Sequence, residues 1–229
     1  MDLAKRLGKD MLVLSGDVSS SFSELDNIIE SDTIKNYYEP YISCGVQCLV
    51  ANTKNCLKPI LAHKKLDDKI EEISKAAIDI VNSLSPQHTI IELGSTGLPI
   101  DGDSKNSLLE NKVQYVKSAR IFENHKFDAY LLSDMRDDTE LKCALMGIRQ
   151  VSDKPIITEA NTIATEFGAI PSLAVFDIKD EHPDDMKSLS LEAHSKGMQF
   201  LRAIGNARPA HAAVMVAVTS GLDVRVDIK

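Results

Sequence analysis

Short apolar runs alternate along this chain with longer stretches in which apolar residues recur at helical spacing. Cys48-Leu49-Val50-Ala51 is such a run, followed by the polar loop Asn52-Thr53-Lys54-Asn55-Cys56. Leu66, Ile70, Ile73, Ala77 and Val81 then lay one apolar stripe along a helix. A buried strand, a polar loop and a half-wet helix make a βα unit, and the same order recurs. Strands are predicted at Met11–Ser15, His88–Leu93, Phe127–Leu132, Pro155–Thr158 and Gln199–Ile204, with a last one at Leu222–Val226. Helices are predicted over Leu25–Ser43, softly broken near Pro40, then Ser107–Glu123, Asp137–Val151, Ser188–Ser195 and onward from Pro209. The stretch Thr162–Lys187 is the least readable, with room for an extra strand at Ser172–Asp177.

Strands alternating with helices in this way imply a parallel sheet, and so many units without a nucleotide-type reversal favour a (β/α) TIM-type barrel. With no low-complexity linker, residues 1–229 read as a single domain. In such folds ligands gather at the loops that follow the strands.

Those loops carry Asp17, Asn52, Glu92, Asp134, Glu159, Asn161 and Asn206, which a barrel would set around one mouth as ligand-binding residues. Converging carboxylates raise one another's pKa or take up a hard cation, so the mouth suits acid/base work or metal binding; each of these residues also reads as a helix cap or solvated rim group. His211, just inside the exit loop after Gln199–Ile204, is the histidine placed to act there as acid or base. His88 and His125 fall at the other ends of their units and read as structural or exposed. Gly94-Ser95-Thr96-Gly97 reads as an ordinary turn, with anion binding through its amides the less common alternative. There is no GxGxxG fingerprint, P-loop, HExxH or GxSxG elbow.

A net charge of −8 and a pI near 5.3 argue against nucleic acid or an anionic membrane as the main partner. No apolar run approaches the roughly 20 residues that cross a bilayer, and no signal peptide is evident, so a cytoplasmic location is expected. Cys44, Cys48, Cys56 and Cys143 lack paired or finger-like spacing and read as free buried thiols.

Gly45-Val46-Gln47-Cys48-Leu49-Val50-Ala51-Asn52-Thr53 resembles the "AGAD-apolar-TNTF" strand and loop of the homocysteine S-methyltransferase family, which includes the homocysteine-binding module of cobalamin-dependent methionine synthase. Leu66 to Ala77 is similar to that family's "LEDKVEEINRAA". Weaker likenesses are Gly94–Gly97 to "GPTG", Leu132–Leu145 to "IETMSDLLEAKAAL" and Pro155–Thr158 to "PVIVS". The resemblance implies a barrel that methylates the sulfur of homocysteine, with zinc held by three cysteines that keep the thiol as a thiolate.

Here the chain departs from the family. The "NC" that supplies the first zinc ligand aligns with Ile204-Gly205, no double cysteine follows, "DGAMGT" becomes Ser15–Ser20, and the glutamate of "IETM" falls on Ser133. The resemblance therefore implies a C-terminally short, zinc-less relative, its barrel incompletely closed. Two open sheet edges would call for a homodimer or a partner chain. The functional expectation is methyl transfer, with a small-molecule donor or acceptor, or a corrinoid partner protein, at the mouth. The rival is a non-catalytic barrel serving as an interaction module.

Overall fold

In the computed structural model, which describes residues 2–224, seven parallel strands form one sheet in the order β1-β7-β6-β5-β4-β3-β2. The strands are β1 (Leu12–Val13), β2 (Cys48–Ala51), β3 (His88–Leu93), β4 (Ala129–Leu132), β5 (Ile156–Glu159), β6 (Ile170–Ile178) and β7 (Phe200–Gly205). Around them run α1 (Asp26–Ile29), α2 (Ser31–Ser43), α3 (Lys58–His63), α4 (Ile70–Ser83), α5 (Lys105–Phe122), α6 (Asp138–Arg149), α7 (Thr162–Glu166), α8 (Met186–Ser195) and α9 (Pro209–Thr219). This is a nearly closed (β/α) barrel.

The two-residue period of each strand divides the core into two. Leu12, Leu14, Cys48, Val50, Ile90, Leu131, Ile157, Leu173 and Phe200 fill the barrel interior, which Leu3 closes at the base. Their neighbours Val13, Leu49, Ala51, Ile91, Tyr130, Ile156 and Leu201 face outward, against the helices. In α4, the predicted stripe of Ile73, Ala77 and Val81 is buried against that outer layer.

Closure differs from expectation in one respect. β7 does not end in a free edge: it pairs in parallel with β1, Phe200 opposite Leu12 and Leu201 opposite Val13. The sparse junction is instead between β1 and β2, where Leu14 and Cys48 form an isolated bridge. Side chains stand in there for the missing ladder. Ser15 Oγ accepts from the Val50 amide at 3.0 Å, and Gln47 Oε1 accepts from the Val13 amide at 2.9 Å.

Two smaller corrections follow. The extra strand suspected at Ser172–Asp177 is present within the longer β6, paired with β7 from Leu173 to Ile178. Of the predicted last strand, Leu222–Val224 forms no strand; Asp223 bridges antiparallel to Asp10, and residues 225–229 lie outside the described part. Among the described residues no helix is long and apolar enough to cross a membrane.

Candidate functional site

Continuing the inward-facing series of each strand leads to the site. In β3 it runs Ile90, Glu92, and in β7 Phe200, Arg202, so two charged side chains end up in the top layer of the barrel interior. They meet there. Arg202 Nη1 and Nη2 donate to the two oxygens of Glu92 at 2.7 and 2.9 Å, a bidentate pair with Glu92 0% and Arg202 3% exposed. The guanidinium also donates to the carbonyls of Ser15 (3.2 Å) and Gly16 (3.3 Å), and Ser133 Oγ donates to Glu92 at 2.6 Å. Burial opposes the charge on Arg202, but Glu92 more than restores it and its pKa lies above the ordinary arginine value.

Above this pair lies Lys54, from the β2 exit loop, between two aspartates. Its ammonium contacts Asp134 and lies 3.4 Å from Asp17. Burial favours its neutral form, yet Asp134, Glu92 and Asp17 together hold its pKa above the usual lysine value. Asp17 caps a short turn, accepting from the amide and hydroxyl of Ser19 at 3.1 and 2.6 Å. Burial pushes its carboxyl up, but the Ser19 hydroxyl, Arg202 and Lys54 outweigh that and hold it below the ordinary aspartate value. Asp134 has a left-handed backbone, φ 51°, which aspartate tolerates better than most residues.

Beside Asp134, between the ends of β4 and β5, a recess of about 380 Å³ opens. Asp134, Glu159 and Asn161 line it with Ser133, Asp137 and Asp138. Its size is that of a small-ligand site, and Asp134, Asp137, Asp138 and Glu159 put four carboxylates in an otherwise mixed polar and apolar lining. Asn161 also caps α7 and donates to Asp138 at 2.9 Å.

Of the residues expected at the mouth, five share this neighbourhood: Asp17, Glu92, Asp134, Glu159 and Asn161. Asn52 does not reach it. Its side chain is buried behind the mouth, donating to the Ser23 carbonyl and to Asn27 Oδ1, each at 3.0 Å. Asn206 is exposed and donates to the Lys179 carbonyl. His211 is buried with both ring nitrogens engaged by backbone, Nδ1 accepting from the Arg208 amide (3.0 Å) and Nε2 facing the Glu181 carbonyl (3.1 Å). That arrangement closes the start of α9 and leaves no nitrogen for acid/base work.

Arg202, Lys54 and Ser133 are the partners that the sequence pattern did not single out. The signal for Arg202 was present: an arginine inside an apolar strand, matched by a glutamate near the end of another. Nor do the amides of Gly94–Gly97 await an anion. Glu140 accepts from the Thr96 amide at 2.9 Å and from the hydroxyls of Ser95, Thr96 and Tyr115, so the protein's own carboxylate occupies that turn.

The cysteines lie apart on different elements. Cys48 is inside the barrel, Cys56 in the β2–α3 connection, Cys44 at the end of α2 and Cys143 in α6. Burial pushes the thiols of Cys48 and Cys56 up to about 12 and raises the other two as well, so none is a thiolate at neutral pH. Gly205 has φ 69°, and a Cβ there would run into Asp177 and lie 2.7 Å from the Ile178 carbonyl. Among the described residues no group of three or more His, Cys, Asp or Glu side chains is arranged to hold a metal.

The sequence profile of the family described as homocysteine S-methyltransferase matches residues 3–194. No curated protein sequence matches. Among solved structures, the homocysteine methyltransferase MmuM from Escherichia coli superposes in its metallated form with a TM-score of 0.73 at 10% identity, covering 93% of this chain and 98% of that one. Its oxidized form gives 0.70 at 9% identity, covering 91% and 96%. At such identities the structures establish a shared fold, and the profile match over most of the sequence establishes kinship: the chain belongs to the homocysteine S-methyltransferase family.

Proposed function

We propose that this protein works in methyl transfer without zinc, in the cytoplasm, by binding a small methyl donor or acceptor at the C-terminal mouth of its barrel. Family membership supports methyl transfer in general. The observation that carries the rest is the recess of about 380 Å³ beside Asp134, lined by carboxylates and amide groups. Its lining favours a ligand that carries positive charge, because Asp134, Asp137, Asp138 and Glu159 face it. Asn161 and Ser133 offer hydrogen bonds that orient such a ligand, and Lys54 with the Glu92–Arg202 pair fixes the wall behind it.

Zinc does not fit these residues. The position where the resemblance puts a ligand is Gly205, which has no room for a side chain, and the four cysteines lie apart on different elements. A solved neighbour is a homocysteine methyltransferase described in a metallated form, which makes metal dependence the point to test. A corrinoid, too large for the recess, would have to be presented by a partner chain.

One observation favours the rival reading of a non-catalytic interaction module: the barrel axis is filled by Glu92 and Arg202, not open to a ligand. The two separate by ligand-detected NMR with cationic methyl compounds, methylated amines and sulfonium compounds, with methyl loss followed in the presence of homocysteine and a chelator. Binding that survives chelation and disappears in Asp134→Asn/Glu159→Gln is the expected result. No binding by any of these compounds, or transfer that stops when zinc is removed, would overturn it.

A further inference from the structure

A second surface, on the helical layer outside the barrel, pairs with a feature elsewhere on the same chain. Between α5 and α6 runs an apolar groove of about 480 Å³, floored by Leu108, Leu109 and Met146. Leu109 is 53% and Met146 42% exposed, although both are large and apolar. The groove is edged by Lys105, Lys112 and Lys142, with Asp138 the one carboxylate in its lining. None of these lysines has an ion-pair partner among the described residues, in a protein of net charge −8. Cationic rims around an apolar floor call for an apolar side chain flanked by carboxylates.

The chain carries such a group. Ile29, at the end of α1, is 63% exposed, the most exposed of its large hydrophobic side chains among the described residues. It sits among Asp26, Glu30 and Asp32, none of which is in an ion pair there. Within one molecule the knob cannot reach the groove, because α1 packs on α4 while the groove lies beyond it, between α5 and α6.

We propose that the lysine-edged groove between α5 and α6 is a self-association surface that receives the acidic Ile29 knob of a second copy of this chain. The contact places a hydrophobic anchor inside a ring of opposite charges, the arrangement in which a small interface is selective. It is separate from the barrel edge and meets the recess at the mouth only through Asp138, which lines both. Because the charges are exposed, the association weakens as salt rises.

Sedimentation velocity of the full chain, from low micromolar to several hundred micromolar protein, tests this. The wild type is expected to associate with rising concentration and less so at high salt. Ile29→Lys and Met146→Glu should each abolish association, while an equimolar mixture of the two regains it, because one supplies an intact groove and the other an intact knob. Leu191→Lys, at another exposed apolar position, should leave it unchanged. Thermal melting checks that every variant is folded. A wild type that stays monomeric throughout, association that survives either knob or groove substitution, or a mixture no more associated than its components overturns the proposal.

Discussion

Replacing Glu92 alone leaves the Arg202 guanidinium buried without its carboxylate, and replacing Arg202 alone does the same to Glu92. Each single change is expected to destabilise by about 3–5 kcal/mol, because an uncompensated buried charge remains. Glu92→Leu/Arg202→Met removes both charges and is expected to lie far closer to wild type than the sum of the single costs, which urea denaturation of the four proteins measures. Glu140 gives a pH prediction. Burial pushes its carboxyl up, but the amides of Arg136 and Thr96 and the hydroxyls of Ser95 and Thr96 hold it below the ordinary glutamate value. A carboxyl depressed on folding adds stability above its unfolded value that is lost as pH falls through its folded one. Glu140→Gln should therefore cost about 1–3 kcal/mol at neutral pH, and its gap from wild type should close below about pH 4.5; chemical denaturation across that range reads the difference. Glu92 near the end of β3 and Asp134 just past β4 were legible as candidate acids, since a carboxylate at the end of an apolar strand has few structural reasons to be there. Lys54 was not, because nothing in a polar loop says which of its side chains turns inward.

At the level of elements, β2 and β3 were readable to the residue because both are short, wholly buried runs with polar ends. β6 was the hardest, and the reason is physical. It is half-exposed over most of its nine residues and follows a helix of five, so neither a buried run nor a helical period marks it. The junction of β1 with β2 was equally hidden, because its closure rests on side chains. If Ser15 and Gln47 replace ladder bonds there, Ser15→Ala/Gln47→Ala should speed amide exchange at Val13 and Val50, whose amides they accept from, and leave the β6–β7 ladder protected. Unchanged exchange at Val13 and Val50 would show that backbone pairing alone closes the barrel.

For the whole molecule, the pattern of repeated βα units was enough to give the barrel, because alternation and a parallel sheet leave few other topologies. What occupies the mouth was not legible, since it depends on which side chains from β3, β4, β5 and β7 meet across the interior. That meeting produced a guanidinium–carboxylate pair and an acidic recess, and the cysteines stayed elsewhere. A family barrel whose mouth works without a thiolate-held metal is what we propose. Native mass spectrometry of the purified chain after incubation with zinc, with parallel metal analysis, tests this most directly. Chains that carry no stoichiometric zinc are the predicted result, and one tightly held zinc per chain would contradict it.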